Sequence, residues 1–365
     1  MESGRKSPSA GQADFMQPPR LATPRVVPPV RVDPDGVAGP RPGEARGGRW
    51  RRTSPGLYVP SGAEFDQPAQ RIVEAGGHLG AFGGVSGWAS LHLAGADWFG
   101  GRDLHGQELP VLVAVGPGRQ CPEHPGAAFT RHRIAETEVV LRSGVRCLNV
   151  HRALLDEIYQ LRSLKRAVAA IDMVLHAELT SRSRLQRWLR TVPRTYGLPL
   201  MRQALRLSAD RVESPRETAL RLVWTLDADL PTPLCNAELY DAAGRFLARP
   251  DLFSPELGLA GEYDGAHHFT AEQRRRDLAR EDRLRDHGIE VVTVVAGELS
   301  APGEVVGRLR AAAARAERRR RSGQWQLRPT PDLDAVVNAR LAAGSAADAP
   351  LRCDLSAPSG PERAR

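Results

Sequence analysis

Lysine is almost missing from this chain: of 51 basic residues in 365, only Lys6 and Lys165 are lysines and the others are arginine. A mechanism that needs a lysine amine in the second half of the chain is therefore excluded, because arginine stays protonated and does not replace it as base or nucleophile. Cysteine is also scarce. Cys121, Cys147, Cys235 and Cys353 lie far apart with no CxxC pair, which argues against a disulfide framework and against a structural zinc knuckle. Aromatic residues make up 5% of the chain without an ordered stripe, so a platform for stacking single-stranded bases is not expected. No run of about 18 apolar residues occurs and the first ten residues lack the apolar stretch of a secretory leader. The expectation is a soluble, cytoplasmic protein with no membrane contact.

What is present suffices for at least one sizeable core: 41% of residues are hydrophobic and the length accommodates two ordinary domains. The net charge of +8 is unevenly spread. Residues 1–52 carry +5, 53–204 carry +4, 205–317 carry −5 and 318–365 carry +4. The basic excess thus flanks one acidic segment, and any attraction for a polyanion comes from the flanks.

Residues 1–48, rich in Pro, Gly and Arg, show no apolar periodicity and read as a disordered basic tail. Residues 49–204 read as an α-rich α+β domain. It opens with a hairpin over Trp50–Pro60 turning at Pro55-Gly56, a helix starting at Ser86 and a buried strand near Leu109–Val115. A single long helix is expected from Asn149 to Ala177, because Leu154, Leu155, Ile158, Leu161, Val168, Ile171 and Val174 form a stripe at helical spacing. Thr180 or Ser181 caps a following helix bearing Arg182, Arg184, Arg187, Arg190 and Arg194. These arginines are a solvated face or, alternatively, a phosphate-contacting surface. Residues 321–365 read as a flexible C-terminal tail.

The segment 205–320 reads as α-β-β-β-α-β-α. Ser214-Pro215-Arg216-Glu217 is a capped helix start. Strands are expected over Cys235–Tyr240, Arg245–Phe253 and Leu259–Tyr263, joined by turns at Asp241–Gly244 and Pro255–Gly258. A helix capped by Thr270 with Gln273 runs to His287, a buried strand spans Ile289–Val295, and a last helix covers Pro302–Arg318. A hairpin turn joins Asp251 to Glu262, so their carboxylates can converge. Two unpaired acids repel and are costly to bury, which invites a divalent cation, Mg²⁺ (or Mn²⁺) being the natural occupant.

Pro250-Asp251, a hairpin's interval, then Glu262-Tyr263-Asp264-Gly265-Ala266-His267 resembles the PD-(D/E)XK nuclease superfamily. Within it the segment is most similar to very-short-patch-repair-like endonuclease domains. The element order, Ser214-Pro215-x-Glu217, Asn236, Arg249-Pro250-Asp251, Asp277, Arg280 and the strand after Gly288 carry the likeness. It implies a restriction-endonuclease-like α/β fold and metal-dependent hydrolysis of nucleic acid, with DNA as the favoured substrate. Asp251 and Glu262 would hold the metal, with Glu217 and Asp264 as further ligands, and Arg249 or Arg280 would steady the scissile phosphate. Where many members carry a lysine two residues after the glutamate this chain has Asp264, which leaves proton transfer to His267 or to metal-activated water.

Gly56–Pro60, Gly87-Trp88-Ala89-Ser90-Leu91-His92 and the helix after Asn149 look like the middle part of abortive-infection antitoxin-related proteins. That implies a targeting or regulatory role for 49–204, with a protein partner. Plainer roles stand beside each assignment: Glu217 as a capping-box partner, Asp251 and Asp264-Gly265 as turn residues, His267 and His268 as a solvated pair, and Asp277, Arg280 and Glu281 as surface pairs. The rival to a nuclease is a non-catalytic antitoxin-like or DNA-binding regulator on a degenerate nuclease fold. A third reading is a protein adaptor built on the long helix.

Overall fold

A computed structural model describes residues 26–63, 67–79, 82–103, 105–121, 123–265, 271–319 and 325–343; the side chains of 271–274, 276–278 and 319 lie outside that description. The chain is mixed α/β. The N-terminal strands β1 (Val30–Arg31), β2 (Trp50–Ser54) and β3 (Leu57–Pro60) form a small antiparallel sheet in the order β1-β3-β2. The hairpin turns at Pro55-Gly56 as the sequence implies, with Gly56 at φ +78, a value that a side chain would strain.

Residues 26–48 do not behave as the expected tail. Val27 exchanges two hydrogen bonds with the Gln70 side chain, and the Asp33 carboxylate accepts the N–H groups of Asp35, Val37 and Ala38. A Pro-rich segment that cannot bury much surface is here ordered by polar contacts to its own turn and to the next helix, α1 (Pro68–Gly76). There follow β4 (Gly84–Ser86), α2 (Gly87–Leu93), β5 (Val111–Ala114), β6 (Ala127–Thr130), β7 (Val139–Arg142) and β8 (Val145–Leu148). The five strands make one mixed sheet, β6-β5-β4-β8-β7.

The expected Asn149–Ala177 helix is two helices, α3 (Val150–Leu161) and α4 (Leu164–His176). Arg162 takes the left-handed conformation (φ +49) and ends α3, so α4 turns back; the apolar stripe continues through the break and gives no sign of it. Then come α5 (Arg182–Thr191), capped by Ser181, and α6 (Leu198–Leu207).

The last part begins with α7 (Pro215–Leu222), which widens into a π turn over Val223–Asp227. After it lie β9 (Leu234–Cys235), β10 (Leu239–Asp241), β11 (Phe246–Ala248), β12 (Leu252–Ser254), β13 (Leu259–Asp264), α8 (Ala271–Asp286), β14 (Glu290–Val295) and α9 (Gly303–Arg319). The expected tail supplies two more elements, β15 (Trp325–Leu327) and α10 (Leu333–Ala342). Strand β15 pairs with β10, and Asp334 of α10 accepts the hydroxyls of Ser181 and Ser183 at the start of α5. The Thr270–Gln273 cap lies outside the described residues.

Two expected strands are each broken in two. Cys235–Tyr240 divides at Asn236 (φ +48) and Arg245–Phe253 divides at Pro250, which has no N–H to donate to a ladder. At these breaks the chain passes between two sheets, β14-β13-β12-β9 and β11-β10-β15. Strands β12 and β13 run antiparallel, and β13 and β14 run parallel through the α8 crossover.

The larger core runs without interruption from Ile72, Trp88 and Leu155 through Val168 and Met201 to Trp224, Leu252, Leu259, Val294 and Leu309. Alternate residues of β12 and β13, Phe253 and Ala260, instead face a smaller core with Leu239, Leu247 and Leu284. Asp172 of α4 is wholly buried and pairs with Arg221 of α7 at 2.8 Å, while Thr218 Oγ1 and the Ala209 N–H also donate to it. Among the described residues Cys121, Cys147 and Cys235 are free thiols, and no helix is long and apolar enough to cross a membrane.

Candidate functional site

The acidic corner forms where the two strand breaks meet. The antiparallel register sets Leu252 across from Gly261; Asp251 and Glu262 are the next residues beyond that pair, and the Glu262 charge acts on the Asp251 carboxyl. The Asn236 N–H donates to the Asp251 carbonyl at 3.0 Å, which ties the β9–β10 break to the β11–β12 break. Asparagine tolerates the positive φ this corner requires better than most residues.

Asp251 Oδ2 accepts the Tyr263 N–H at 2.7 Å. Burial is the main force pushing the Asp251 carboxyl up to about 6, and the negative charges of Glu217 and Glu262 add to it; the Tyr263 N–H and Arg280 pull the other way. Glu262 is held by a two-pronged contact from Arg280, Nη2 to Oε1 at 2.6 Å and Nη1 to Oε2 at 2.8 Å. Glu217, buried on α7, accepts the Glu213 N–H at 2.9 Å and Asn236 Nδ2 at 2.7 Å. Its own N–H donates to Ser214 Oγ, while its carboxylate takes the Glu213 N–H and not the Ser214 N–H that a full capping box would use. The adjoining Cys235 thiol is pushed by burial up to about 12, which keeps it protonated and unreactive.

Of the sequence-derived candidates, Asp251, Glu262, Glu217 and Arg280 come together. Asp264 ends β13 two residues after Glu262 and so projects on the same face. Arg249 is exposed and turned to Glu213, with contacts of 2.5 and 3.1 Å. His267 lies outside the described residues, and of Asp277 only the backbone is described.

Sequence reasoning missed what orients the acids: the Tyr263 N–H, the Glu213 N–H and the Asn236 side chain. The sequence signal for the last was an asparagine beside a strand, the residue type most able to turn a corner. It also missed how closely the Trp224 ring approaches β13: a Cβ on Gly261 would meet it at 3.1 Å, a tight contact.

Among the described residues no three Asp, Glu, His or Cys side chains stand as a ready metal-holding group. Mg²⁺ in phosphoryl-transfer sites is held by one or two carboxylates, its waters and substrate phosphate rather than by a closed protein cage. Asp251, which the Glu262 charge makes harder to ionise, and Glu262, whose two oxygens contact Arg280, are two carboxylates at one corner.

No family model matches the chain, and no solved structure matches it. An uncharacterized protein of Mycobacterium tuberculosis, MT2308 in strain CDC 1551 / Oshkosh and Rv2248 in strain H37Rv, is 28% identical to it over 146 residues. The match covers 40% of this chain and 53% of the relative, so the chain spans about half the length of the curated proteins it matches.

Proposed function

We propose that residues 205–320 form a restriction-endonuclease-like unit of the PD-(D/E)XK kind that hydrolyses phosphodiester bonds of nucleic acid, DNA first, with Mg²⁺ or Mn²⁺, in the cytoplasm. The observation that carries this reading is the acidic corner itself. Asp251, just before β12, and Glu262, on β13, adjoin the Leu252–Gly261 pair, and after burial the charges of Glu217 and Glu262 make Asp251 harder to ionise. Such clustering costs stability and is typical of sites that work on charged groups.

In this scheme Asp251 and Glu262 hold the cation, which when bound acidifies water and offsets charge on the phosphate. The Tyr263 N–H fixes the Asp251 carboxylate, and Asn236 with the Glu213 N–H fixes Glu217. Arg280 changes partner: its planar fork, matched to the Glu262 carboxylate in the present state, suits two phosphate oxygens equally well. In the absence of the usual lysine, proton transfer falls to His267 or to water acidified by the cation, with Asp264 as a further ligand. Residues 49–204 target or regulate this unit, through a protein partner.

The same Arg280 contact favours the rival reading, a regulator in which Glu262 is permanently neutralised. One experiment separates them. Purified full-length chain is incubated with plasmid, single-stranded DNA and RNA, with Mg²⁺, Mn²⁺ or chelator, alongside Asp251→Ala and Glu262→Ala. Cation-dependent cutting that both substitutions abolish is the expected result. Binding without cutting under every condition selects the regulator.

A further inference from the structure

Two of the exposed α5 arginines, Arg182 and Arg190, border concave surface. A cavity of about 810 Å³ is lined by Arg182, Arg206, Arg211, Arg221 and Arg328, and a second of about 730 Å³ by Arg182, Arg190, Arg202 and Arg206. They share Arg182 and Arg206, so they adjoin as one groove running along α5 and α6 and down to β9.

Elsewhere this arginine-rich chain pairs its guanidinium groups: Arg51 with Glu74, Arg152 with Asp156, Arg249 with Glu213, Arg280 with Glu262, Arg308 with Glu298 and Arg315 with Glu290. In the groove Arg221 keeps Asp172 and Arg328 keeps Glu238. Arg182, Arg190, Arg202, Arg206 and Arg211 are instead exposed, and among the described residues none of the five has a carboxylate within 4.0 Å. Arg190 and Arg202 donate only to the carbonyls of Gln186 and Leu189. Asp210 is the one carboxylate in the lining; burial pushes its carboxyl up while the nearby Arg182 charge pulls it down. Five like charges with a single carboxylate among them repel each other, and an anion with several negative groups relieves them.

Spacing sets the kind of anion. Arg182 and Arg190 lie two turns apart on α5, and Arg202 and Arg206 one turn apart on α6, steps of roughly 12 and 6 Å at 1.5 Å per residue. Two rows at such intervals suit a repeating phosphate better than a single small anion. The groove has no aromatic side chain in its lining, so it contacts backbone rather than stacked bases. Its wall also touches the acidic corner: Asn236 Nδ2 donates to the Arg211 carbonyl at 2.9 Å and to Glu217 at 2.7 Å.

We infer that Arg182, Arg190, Arg202, Arg206 and Arg211 form a phosphate-binding groove that holds a nucleic-acid strand where it leaves the Asp251–Glu262 corner. The inference rests on the nuclease reading for the identity of the strand, while the groove is testable by binding alone.

The test is fluorescence anisotropy of a labelled 20-base-pair DNA duplex with the full chain, in chelator and across a salt series. The variants are Arg182→Glu/Arg206→Glu and Lys165→Glu, an exposed charge reversal outside the groove, each checked by circular dichroism for native fold. The expected result is Kd at least 10-fold higher for the double variant, with a log Kd against log salt slope shallower by about 2. Lys165→Glu is expected to bind as the unaltered chain does. Binding of the folded double variant within twofold of the unaltered chain overturns the groove, as does equal weakening by Lys165→Glu or no duplex binding by the unaltered chain. Loss of binding in the double variant alongside no cutting under any cation upholds the groove and removes the hydrolase reading.

Discussion

Asp251 links the site to the stability of the fold. In the unfolded chain its carboxyl ionises near the ordinary 3.8, and in the fold only at about 6. The folded state therefore holds the proton more tightly, and stability declines as pH rises from about 4 through 6. Asp251→Asn escapes that decline and is expected to be more stable at pH 7 by on the order of 1–3 kcal/mol, with no difference at pH 4, measured by urea unfolding. Equal stability at both pH values would sink this account. The proposed hydrolysis has the opposite sign: cation binding would need the ionised carboxylate, so cutting is expected to rise as pH passes through about 6.

Glu157 behaves alike in the N-terminal half. Burial pushes its carboxyl up to about 7 even though the Trp88 N–H donates to it. Glu157→Gln, whose amide oxygen still accepts that N–H, is expected to gain stability over the parent at pH 8 and little at pH 4, again by denaturant titration at the two pH values.

At the scale of elements, what the sequence disclosed was local. The Trp50–Pro60 hairpin, the helix start at Ser86 and the caps at Ser181 and Ser214 depend on neighbours within four residues, and each is present. Breaks that depend on distant packing were not legible. Arg162 ends a helix although the apolar spacing runs on, and Asn236 and Pro250 move the chain between sheets for reasons that lie in the two cores below them. The juxtaposition of Asp251 and Glu262 was legible because a hairpin joins them. The Arg280 clamp was not, because α8 must cross over the sheet before it reaches Glu262. Arg162→Gly tests the break: it removes the side chain that resists a left-handed backbone, and a gain of about 0.5–1 kcal/mol in chemical denaturation is expected. A loss would mean that Arg162 is held there by contacts worth more than the strain.

At the scale of the molecule, the apolar core passes from the five-stranded sheet to β13 without a gap. The Asp172–Arg221 pair sits inside it and joins α4 to α7. Removing one partner leaves the other charged and buried, so Asp172→Ala is expected to cost about 3–5 kcal/mol. Calorimetry of the unaltered chain is expected to give one transition through both halves. Two separate transitions, with Asp172→Ala moving only one, would show that the halves melt independently.

Strand β15 has a consequence of its own. It covers the outer edge of β10, and its Trp325 stands edge-on to Phe253 at 4.9 Å. A chain ending at Arg319 would bare a row of backbone donors and acceptors beside an apolar ring, the arrangement by which one sheet recruits another. Light scattering of that shortened chain is expected to report self-association that grows with concentration, while the full-length chain stays at constant mass. The last third of the sheet's border is thus also its guard against aggregation.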